Sequence, residues 1–275
     1  MALPFARPLS LAPDFALSSI GQDDIDGVIS CHHQAFNSPG ERFWWSPDLD
    51  AMRAFQRASL EKNLKSGEKR YFKITHTPSG ELAAFASWVP PKRFDGLGLR
   101  PVVGTDTNNE GARAVAAVEE IGLYVDSSAH STLQSNKVSG EADMEEYIRQ
   151  IVSRLPDGAS KEGLAEAVRF ELRIHNRYGA EEMLNLAVLC TSPRYERRGL
   201  AKAIIEPVLE IAQANGMPVW VYSSPVGKGF YEKLGFVVIE AYDLDLSNAN
   251  RGLEGVHRVT AMQWNPKPSI PHRWT

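Results

Sequence analysis

The chain contains only two cysteines among its 275 residues, Cys31 and Cys190. Two cysteines cannot form the disulfide framework of a small secreted scaffold, and neither has the neighbours of a metal-binding motif. We therefore expect reduced thiols and no metal site. The sequence also lacks a continuous apolar stretch of membrane-spanning length, and residues 1–13 lack the basic start and apolar segment of a secretory signal. These absences predict a cytoplasmic protein without a membrane partner.

An excess of positive charge is missing as well. The 30 Lys and Arg residues are outnumbered by 34 Asp and Glu residues, which gives a formal net charge of −4. A nucleic-acid-binding protein normally concentrates basic side chains to neutralise phosphates, so we expect no nucleic-acid partner. With 43% apolar and 23% charged residues, the composition is that of a globular protein that can bury a core.

The hydrophobic pattern predicts mixed α and β structure in the first and last thirds of the chain. In the first third, a strand at 15–20 precedes helices at 23–36 and 47–64, and strands at 70–76 and 82–89 flank a turn at 77–80. In the last third, strands at 183–191 and 219–223 are each followed by a helix, at 199–215 and 227–234. Two further strands, 236–244 and 255–264, complete the pattern.

Residues 91–180 interrupt this alternation. They begin with a stretch rich in Gly and Pro, contain a polar segment at 126–140, and show helical patterns at 109–122, 141–155 and 160–175. We expect a single domain over residues 1–275 in which 91–180 form a helical insertion.

A basic turn joins the strand at 183–191 to the helix that follows it. Arg194, Arg197, Arg198 and Lys202 surround Gly199 in an otherwise acidic chain. The first N–H groups of a helix have no partner within the helix and lie at the positive end of its dipole, so they can bind a pyrophosphate. The segment lacks the Gly-Lys-Ser/Thr ending of a nucleoside-triphosphate loop and the Gly-x-Gly-x-x-Gly of a dinucleotide site.

Two motifs carry a resemblance to a known family. Arg197-Arg198-Gly199-Leu200-Ala201 resembles the pyrophosphate-binding motif of the GNAT superfamily of N-acetyltransferases, Gln/Arg-x-x-Gly-x-Gly/Ala, although Glu196 stands where the motif has Gln or Arg. Farther along, the segment that ends in Tyr231-Glu232-Lys233-Leu234-Gly235-Phe236 is similar to a late helix of the family. The resemblance implies an α/β fold of the α+β type, with a mixed, mostly antiparallel sheet flanked by helices.

The resemblance also implies an activity and its cofactor. Acetyl-CoA is expected in a gap between the strand that ends at Thr191 and the strand that begins at Val219, and an amine is expected to attack the thioester directly. Tyr231 matches a tyrosine that acts as general acid in many family members. The residues expected to bind the cofactor are Leu189, Cys190, Thr191, Arg194, Arg197, Arg198, Gly199, Leu200, Ala201, Lys202, Ser224, Gly227 and Phe230.

A loop between the first two helices resembles the acceptor-binding loop of the family, which implies an acceptor site there; the alternative is a loop that packs onto the core. It contains the aromatic residues Phe43, Trp44 and Trp45, which favour an aromatic, apolar or cationic small-molecule amine. Asn185 is expected beside the acetyl group but cannot act as a base. The pattern does not select the general base. The alternatives are a water chain and the side chains of Glu181, Glu182, His175, His32 and His33.

Two other functions remain open at this point. The chain is also compatible with a non-catalytic acyl-CoA sensor, because Glu196 departs from the motif and no single base stands out. The second open function is the transfer of a longer acyl group, or transfer to a hydroxyl, and it depends on the depth of the acyl pocket.

Overall fold

A computed structural model describes residues 3–5, 8, 11–91, 141–249 and 252–268 of the chain. The helix predicted at 109–122 and the polar segment at 126–140 lie outside these described residues. Within the described ranges, no helix is long and apolar enough to cross a membrane.

The described part of the chain contains seven strands and six α-helices. The strands are β1 (Phe15–Ser19), β2 (Arg70–His76), β3 (Glu81–Val89), β4 (Leu184–Thr191), β5 (Val219–Ser223), β6 (Val237–Asp245) and β7 (Val256–Trp264). The helices are α1 (Ile25–Ala35), α2 (Leu49–Ser66), α3 (Glu141–Val152), α4 (Lys161–Tyr178), α5 (Leu200–Ala214) and α6 (Pro225–Lys233). Their order and type agree with the sequence predictions.

Helix boundaries differ from the prediction where a capping side chain decides the start. Helix α2 begins at Leu49 because the carboxylate of Asp48 accepts hydrogen bonds from the backbone N–H groups of Asp50 and Ala51, so Pro47 precedes the helix. Helix α6 begins at Pro225, two residues before the predicted start, because Ser224 is its N-cap and proline suits the first helical position.

The strands form one sheet in the order β1-β2-β3-β4-β5-β7-β6. All neighbouring pairs are antiparallel except β4 and β5, which run parallel. This arrangement confirms the predicted fold class. One face carries α5 and α6 over a first core that includes Leu186, Leu200, Val221 and Tyr231. We call it the α5 face.

The opposite face, here called the α1 face, carries α1 and α2 over a cluster that includes Val28, Phe85 and Cys190. Helix α4 also lies on this face, where Phe170 and Ile174 pack against Trp220 and Ala261. The helices α3 and α4 lie between β3 and β4 in the chain, inside the predicted insertion.

A second core joins the insertion to the rest of the fold. It includes Tyr147, Ile151 and Leu164 from α3 and α4. These residues pack with Met52 of α2 and Leu244 of β6. All five side chains are buried, so α3 and α4 share a hydrophobic interior with the first helices and the last strands.

Strands β4 and β5 separate part of the way along their length. Their pairing covers only three residue pairs and ends at Leu186 and Val221. In the β3–β4 ladder, Ser87 pairs with Val188 and Trp88 pairs with Leu186, so Ala187 is an extra residue that forms a bulge. Because a bulge bends its strand, the remainder of β4, up to Thr191, leaves β5. The result is a gap that is open toward the carboxyl ends of both strands.

Candidate active site

Backbone groups of β4 point into this gap. The N–H of Ser192 donates to the carbonyl of Ala83 at 2.9 Å. In an antiparallel ladder, hydrogen-bonded and non-hydrogen-bonded pairs alternate, so Cys190 also bonds to β3. The N–H groups of Leu189 and Thr191 then point away from β3, toward the side where β5 has separated. They can donate to a carbonyl oxygen or amide in the gap.

The basic turn at the start of α5 has an unusual backbone. Arg197 is the single non-glycine residue of the described chain with positive φ, at 62°, and Gly199 has a φ of 78°. No side chain caps the helix at Gly199. The first N–H groups of α5, from Leu200, Ala201 and Lys202, therefore face outward at the positive end of a helix of 15 residues. This geometry suits a pyrophosphate.

The cationic side chains of the turn differ in how they are held. Arg197 and Arg198 are exposed, and the guanidinium of Arg198 lies 5.6 Å from the centre of the Tyr195 ring. Lys202 forms an ion pair with Glu206 at 3.3 Å. Glu196, which departs from the family motif, is exposed, so its carboxylate can stay in water rather than face a phosphate.

Tyr195 anchors the turn to the β2–β3 hairpin. Its ring is 3% exposed and packs edge-on against Phe15 at 5.9 Å. Its hydroxyl donates to the carboxylate of Glu81 and lies 3.2 Å from the hydroxyl of Ser79. The hydrogen bond from Tyr195 is the main cause that lowers the pKa of Glu81. Arg194 binds the same carboxylate, so two neighbouring residues of the turn share one partner.

Tyr231 lies in the first core on α6, with 6% of its surface exposed. Its hydroxyl has no hydrogen-bond partner among the described residues. Burial raises its pKa far above the ordinary value, and the nearby thiol of Cys190 contributes to the rise. The phenol is therefore protonated at neutral pH and can donate a proton. Because the thiol of Cys190 on β4 contributes to this rise in pKa, the Tyr231 ring lies close to β4.

Close packing fixes the position of Tyr231. A Cβ atom on Gly227 would lie 3.0 Å from the hydroxyl oxygen of Ser223 and 3.2 Å from a ring carbon of Tyr231. Only glycine lets α6 approach β5 this closely. The side chain of Ser224 accepts a hydrogen bond from the N–H of Gly227 at 3.4 Å, which holds the first turn of α6.

Both cysteines are buried thiols. Burial raises the pKa of Cys31 to about 12 and raises that of Cys190 well above its ordinary value. A thiol must ionise to attack a thioester, so neither is prepared to act as a nucleophile at neutral pH.

The aromatic loop lies in the second core. Phe43, Trp44 and Trp45 are 6%, 3% and 2% exposed and pack against α3 and α4. The carbonyl of Trp44 accepts a hydrogen bond from the N–H of Ser160 at 3.0 Å, and the hydroxyl of Ser46 donates to the carbonyl of Asp157 at 2.7 Å. The insertion therefore covers this loop.

Several of the candidate bases are buried. His32 and His33 are 0% and 4% exposed and pack against Trp45. The Nε2 of His33 lies 2.6 Å from Oε1 of Gln56, and burial lowers the pKa of His33 to about 4. His175 is 2% exposed, and burial lowers its pKa to about 3. All three rings are neutral at physiological pH.

Asn185 lies at the base of the gap. It is 1% exposed, and its amide nitrogen donates to the carbonyls of Ala180 and Met183 at 3.0 and 3.1 Å. It pairs with Trp220 in the β4–β5 ladder, one step before the strands separate.

The structure divides the predicted site residues into two groups. The first core brings together Leu189, Leu200, Phe230 and Tyr231, which were all predicted to contact the cofactor. The aromatic loop lies in another cluster. Sequence reasoning missed the bulge at Ala187, which has no side-chain signature. It also missed Tyr195, although that residue is an apolar position inside the basic turn.

Comparison with known proteins agrees with the described fold. A family model described as an acetyltransferase (GNAT) domain matches residues 172–243, which run from α4 into β6. No curated protein sequence matches the chain.

Several solved structures share the fold at low sequence identity. Arylalkylamine N-acetyltransferase 2 from Aedes aegypti is 13% identical, with a TM-score of 0.54 over 92% of this chain and 100% of that one. The polyamine N-acetyltransferase of Drosophila melanogaster is 15% identical, with a TM-score of 0.52 over 92% and 100%. The mosquito arylalkylamine N-acetyltransferase-like 5b is 14% identical, with a TM-score of 0.51 over 91% and 99%.

The family model spans both the basic turn and the late helix, and the described sheet has the arrangement of these enzymes. The family match over residues 172–243 and the shared fold both support a GNAT superfamily acetyltransferase.

Proposed function

We propose that the chain transfers the acetyl group of acetyl-CoA to the amine of a small molecule by direct attack. The observation that carries this proposal is the gap between β4 and β5, which begins after Leu186 and Val221 and lies beside the uncapped start of α5. A pantetheine arm needs an open strand edge, and a pyrophosphate needs a helix N-terminus. The fold supplies both side by side.

The residues present fit coenzyme A. The pyrophosphate would be held by the N–H groups that follow Gly199 and by the exposed Arg197 and Arg198, whose charges stand out in a chain of net charge −4. Leu189 and Thr191 would bind the pantetheine amides and the acetyl carbonyl through their backbones. Ser224, Gly227 and Phe230 of α6 would line the other side of the gap.

The acetyl thioester supplies an acyl group that an amine can attack. In that step the amine nitrogen forms a bond to the carbonyl carbon and the carbon–sulfur bond breaks. The N–H groups of β4 donate to the carbonyl oxygen as its negative charge grows. Tyr231 donates its proton to the departing sulfur, and its raised pKa keeps that proton in place at neutral pH until then. The proton that the nitrogen loses as the amide forms restores the phenol.

The acceptor amine would approach from the α1 face. The start of α5 and α6 occupy the opposite face, so a cofactor that enters there leaves the α1 face for the amine. The aromatic loop, with Trp44 and Trp45, and the insertion lie on this side and would form the wall of the acceptor pocket. The similar solved structures are named for arylalkylamine and polyamine acetylation, which makes these two amine classes the first to test.

Two observations favour a second function, a non-catalytic acyl-CoA sensor. Arg194 is bound to Glu81 in the structure, and Glu196 stands in the phosphate-binding motif. Both features reduce the positive charge available to a pyrophosphate. A sensor needs to bind the cofactor but does not need to release coenzyme A.

The two functions are separated by one experiment on the purified protein. Thermal unfolding with and without acetyl-CoA measures binding, because a ligand of the native state raises the unfolding midpoint. Release of free thiol is then followed with arylalkylamines, polyamines, amino acids and peptides. A raised midpoint with thiol release supports the transferase. A raised midpoint without release from any amine supports the sensor, and an unchanged midpoint at saturating acetyl-CoA contradicts both.

A further inference from the structure

Four buried polar atoms lie near the point where β4 and β5 separate. They are Nε2 of His175, Oε2 of Glu181, Oδ1 of Asn185 and Nε1 of Trp220, and none has a hydrogen-bond partner in the described part of the chain. His175, Asn185 and Trp220 are 2%, 1% and 0% exposed. Because buried polar atoms in native proteins almost always have a partner, four together require an explanation.

The four residues form two pairs that adjoin at Ala180 and Glu181. Asn185 and Trp220 are paired in the β4–β5 ladder, and the amide of Asn185 donates to the carbonyl of Ala180, which precedes Glu181. Nδ1 of His175 lies 3.7 Å from Oε2 of Glu181. The cluster contains both donors and acceptors, which is the condition for binding ordered water.

The cluster also has a defined position relative to the gap. Paired residues project from the same face of a sheet, and Val219 and Val221 face the first core. Trp220 and Asn185 therefore face the opposite side, the α1 face, from which the amine would approach. The next residue pair, Leu186 with Val221, is the last before the strands separate.

We propose that Asn185, Trp220, His175 and Glu181 form a proton-release path that takes the proton of the acceptor amine from the base of the gap to solvent. The inference rests on the proposed acetyltransferase function and deepens it. Asn185 and Trp220 are positioning residues that orient water, since neither titrates at physiological pH. Glu181 is the outer member of the path, and 36% of its side chain is exposed.

The proton balance along this path is complete. The ammonium form of the acceptor loses one proton to water held at Asn185. His175, whose ring is neutral because burial lowers its pKa to about 3, takes up a proton at one ring nitrogen and gives one up from the other. Glu181 receives that proton and releases it to bulk water. No oxidant or further reactant is involved.

Other titratable groups lie on the elements around the cluster. On α4, Glu171 is 5% exposed and lies one turn before His175, and its backbone carbonyl accepts a hydrogen bond from the hydroxyl of Tyr222 on β5 at 3.0 Å. At the end of α4, Arg177 forms an ion pair at 3.1 Å with Glu240 of β6. Tyr178 stacks on the Trp220 ring at 6.0 Å. Glu182, next to Glu181, is exposed to solvent.

The test compares Glu181→Gln and Asn185→Leu with the wild type and with Glu162→Gln, which removes one exposed carboxylate from the first turn of α4. Thiol release is measured with the amine that the wild type acetylates fastest, from about pH 6 to about pH 9. We expect kcat of Glu181→Gln to fall at least about tenfold at the lower pH values. The loss should shrink as the pH rises, because the amine then arrives already deprotonated. Glu162→Gln should keep the wild-type profile, and all variants should keep the midpoint shift with acetyl-CoA.

A pH profile of Glu181→Gln that matches the wild type, or a loss of the same factor at every pH, would overturn the path. Glu181→Gln changes a partly exposed side chain, so it remains a test even where Asn185→Leu fails to fold. If the wild type releases no thiol with any amine, the proposed function itself fails, and the path fails with it. Failure of the proposed function is therefore seen in the wild type alone. Failure of the path alone is seen when the wild type is active and the variants keep its pH profile.

Discussion

The guanidinium of Arg194 donates hydrogen bonds from one nitrogen to both carboxylate oxygens of Glu81, at 2.8 and 2.7 Å. This contact joins the basic turn to the start of β3. Arg194 and Glu81 are 65% and 46% exposed, so the pair contributes little to folding. Its main consequence concerns the cofactor, because a cation that could bind a phosphate is neutralised by a neighbouring anion.

We predict that Glu81→Gln binds coenzyme A more tightly. The glutamine still accepts a hydrogen bond from Tyr195 but releases Arg194 and removes a negative charge beside the turn. We expect Kd to fall about two- to fivefold at low salt, and Arg194→Ala to raise it. Calorimetric titration measures both.

Asp243→Asn is the matched control for this prediction. It removes one carboxylate from an exposed ion pair with Arg258 at 2.6 Å, on the strands β6 and β7. If Glu81→Gln binds coenzyme A no better than Asp243→Asn, the pair does not limit binding.

We predict that Gly227→Ala disturbs the position of Tyr231. The new methyl group would contact Ser223 and the Tyr231 ring at 3.0 and 3.2 Å, so it should cost about 1–3 kcal/mol of unfolding free energy and lower kcat. Gly229→Ala on the same helix meets nothing within 4 Å and should be neutral or stabilising by up to about 1 kcal/mol. Urea unfolding and thiol release measure these effects. Equal effects of the two substitutions would contradict the packing argument.

We predict that Tyr231→Phe lowers kcat without weakening cofactor binding. The hydroxyl makes no hydrogen bond within the described residues, so its removal should leave the unfolding midpoint nearly unchanged. Loss of a general acid should lower kcat by about 10²-fold. Tyr178→Phe, which changes a tyrosine 38% exposed at the end of α4, serves as control. If Tyr231→Phe keeps the wild-type kcat, another group donates the proton to the departing sulfur.

We predict that the folded state loses stability as the pH falls from about 6.5 toward about 4.5. Burial lowers the pKa of His175 to about 3, and those of His33 and His32 are lowered as well. In this window the unfolded chain binds protons that the folded chain does not, so unfolding becomes easier at lower pH. Urea unfolding at several pH values measures the slope.

The contribution of His175 can be isolated. Between about pH 7 and pH 5, neutral His175 should account for a loss of roughly 1–2 kcal/mol in the free energy of unfolding. His175→Gln should lose that part of the pH dependence. The carboxylates with lowered pKa, such as Glu81 and Asp243, lose their contribution only at lower pH. An unchanged slope in His175→Gln would show that the ring is already solvated in the native protein.

Local sequence signals predicted most of the elements. The bounds predicted from hydrophobic periodicity match those of β2 and lie within one residue of the observed ends of the other strands. Periodicity succeeds here because it depends on residues that are close along the chain. Helix starts were less accurate where the cap decides, as at Asp48 and Ser224. The predicted helix at 109–122 lies outside the described residues and stays a prediction.

The sequence by itself determined the fold class, the basic turn around Gly199 and the glycine-containing helix that carries Tyr231, since all three depend on residues that are close along the chain. The tertiary structure alone decided three other features. The bulge at Ala187 opens the gap, Glu81 binds Arg194 across 113 positions of sequence, and Asn185 and Trp220 bring buried polar atoms to the point where β4 and β5 separate. Each results from long-range packing, in which the partner of a group is fixed by the whole fold and not by its neighbours in sequence.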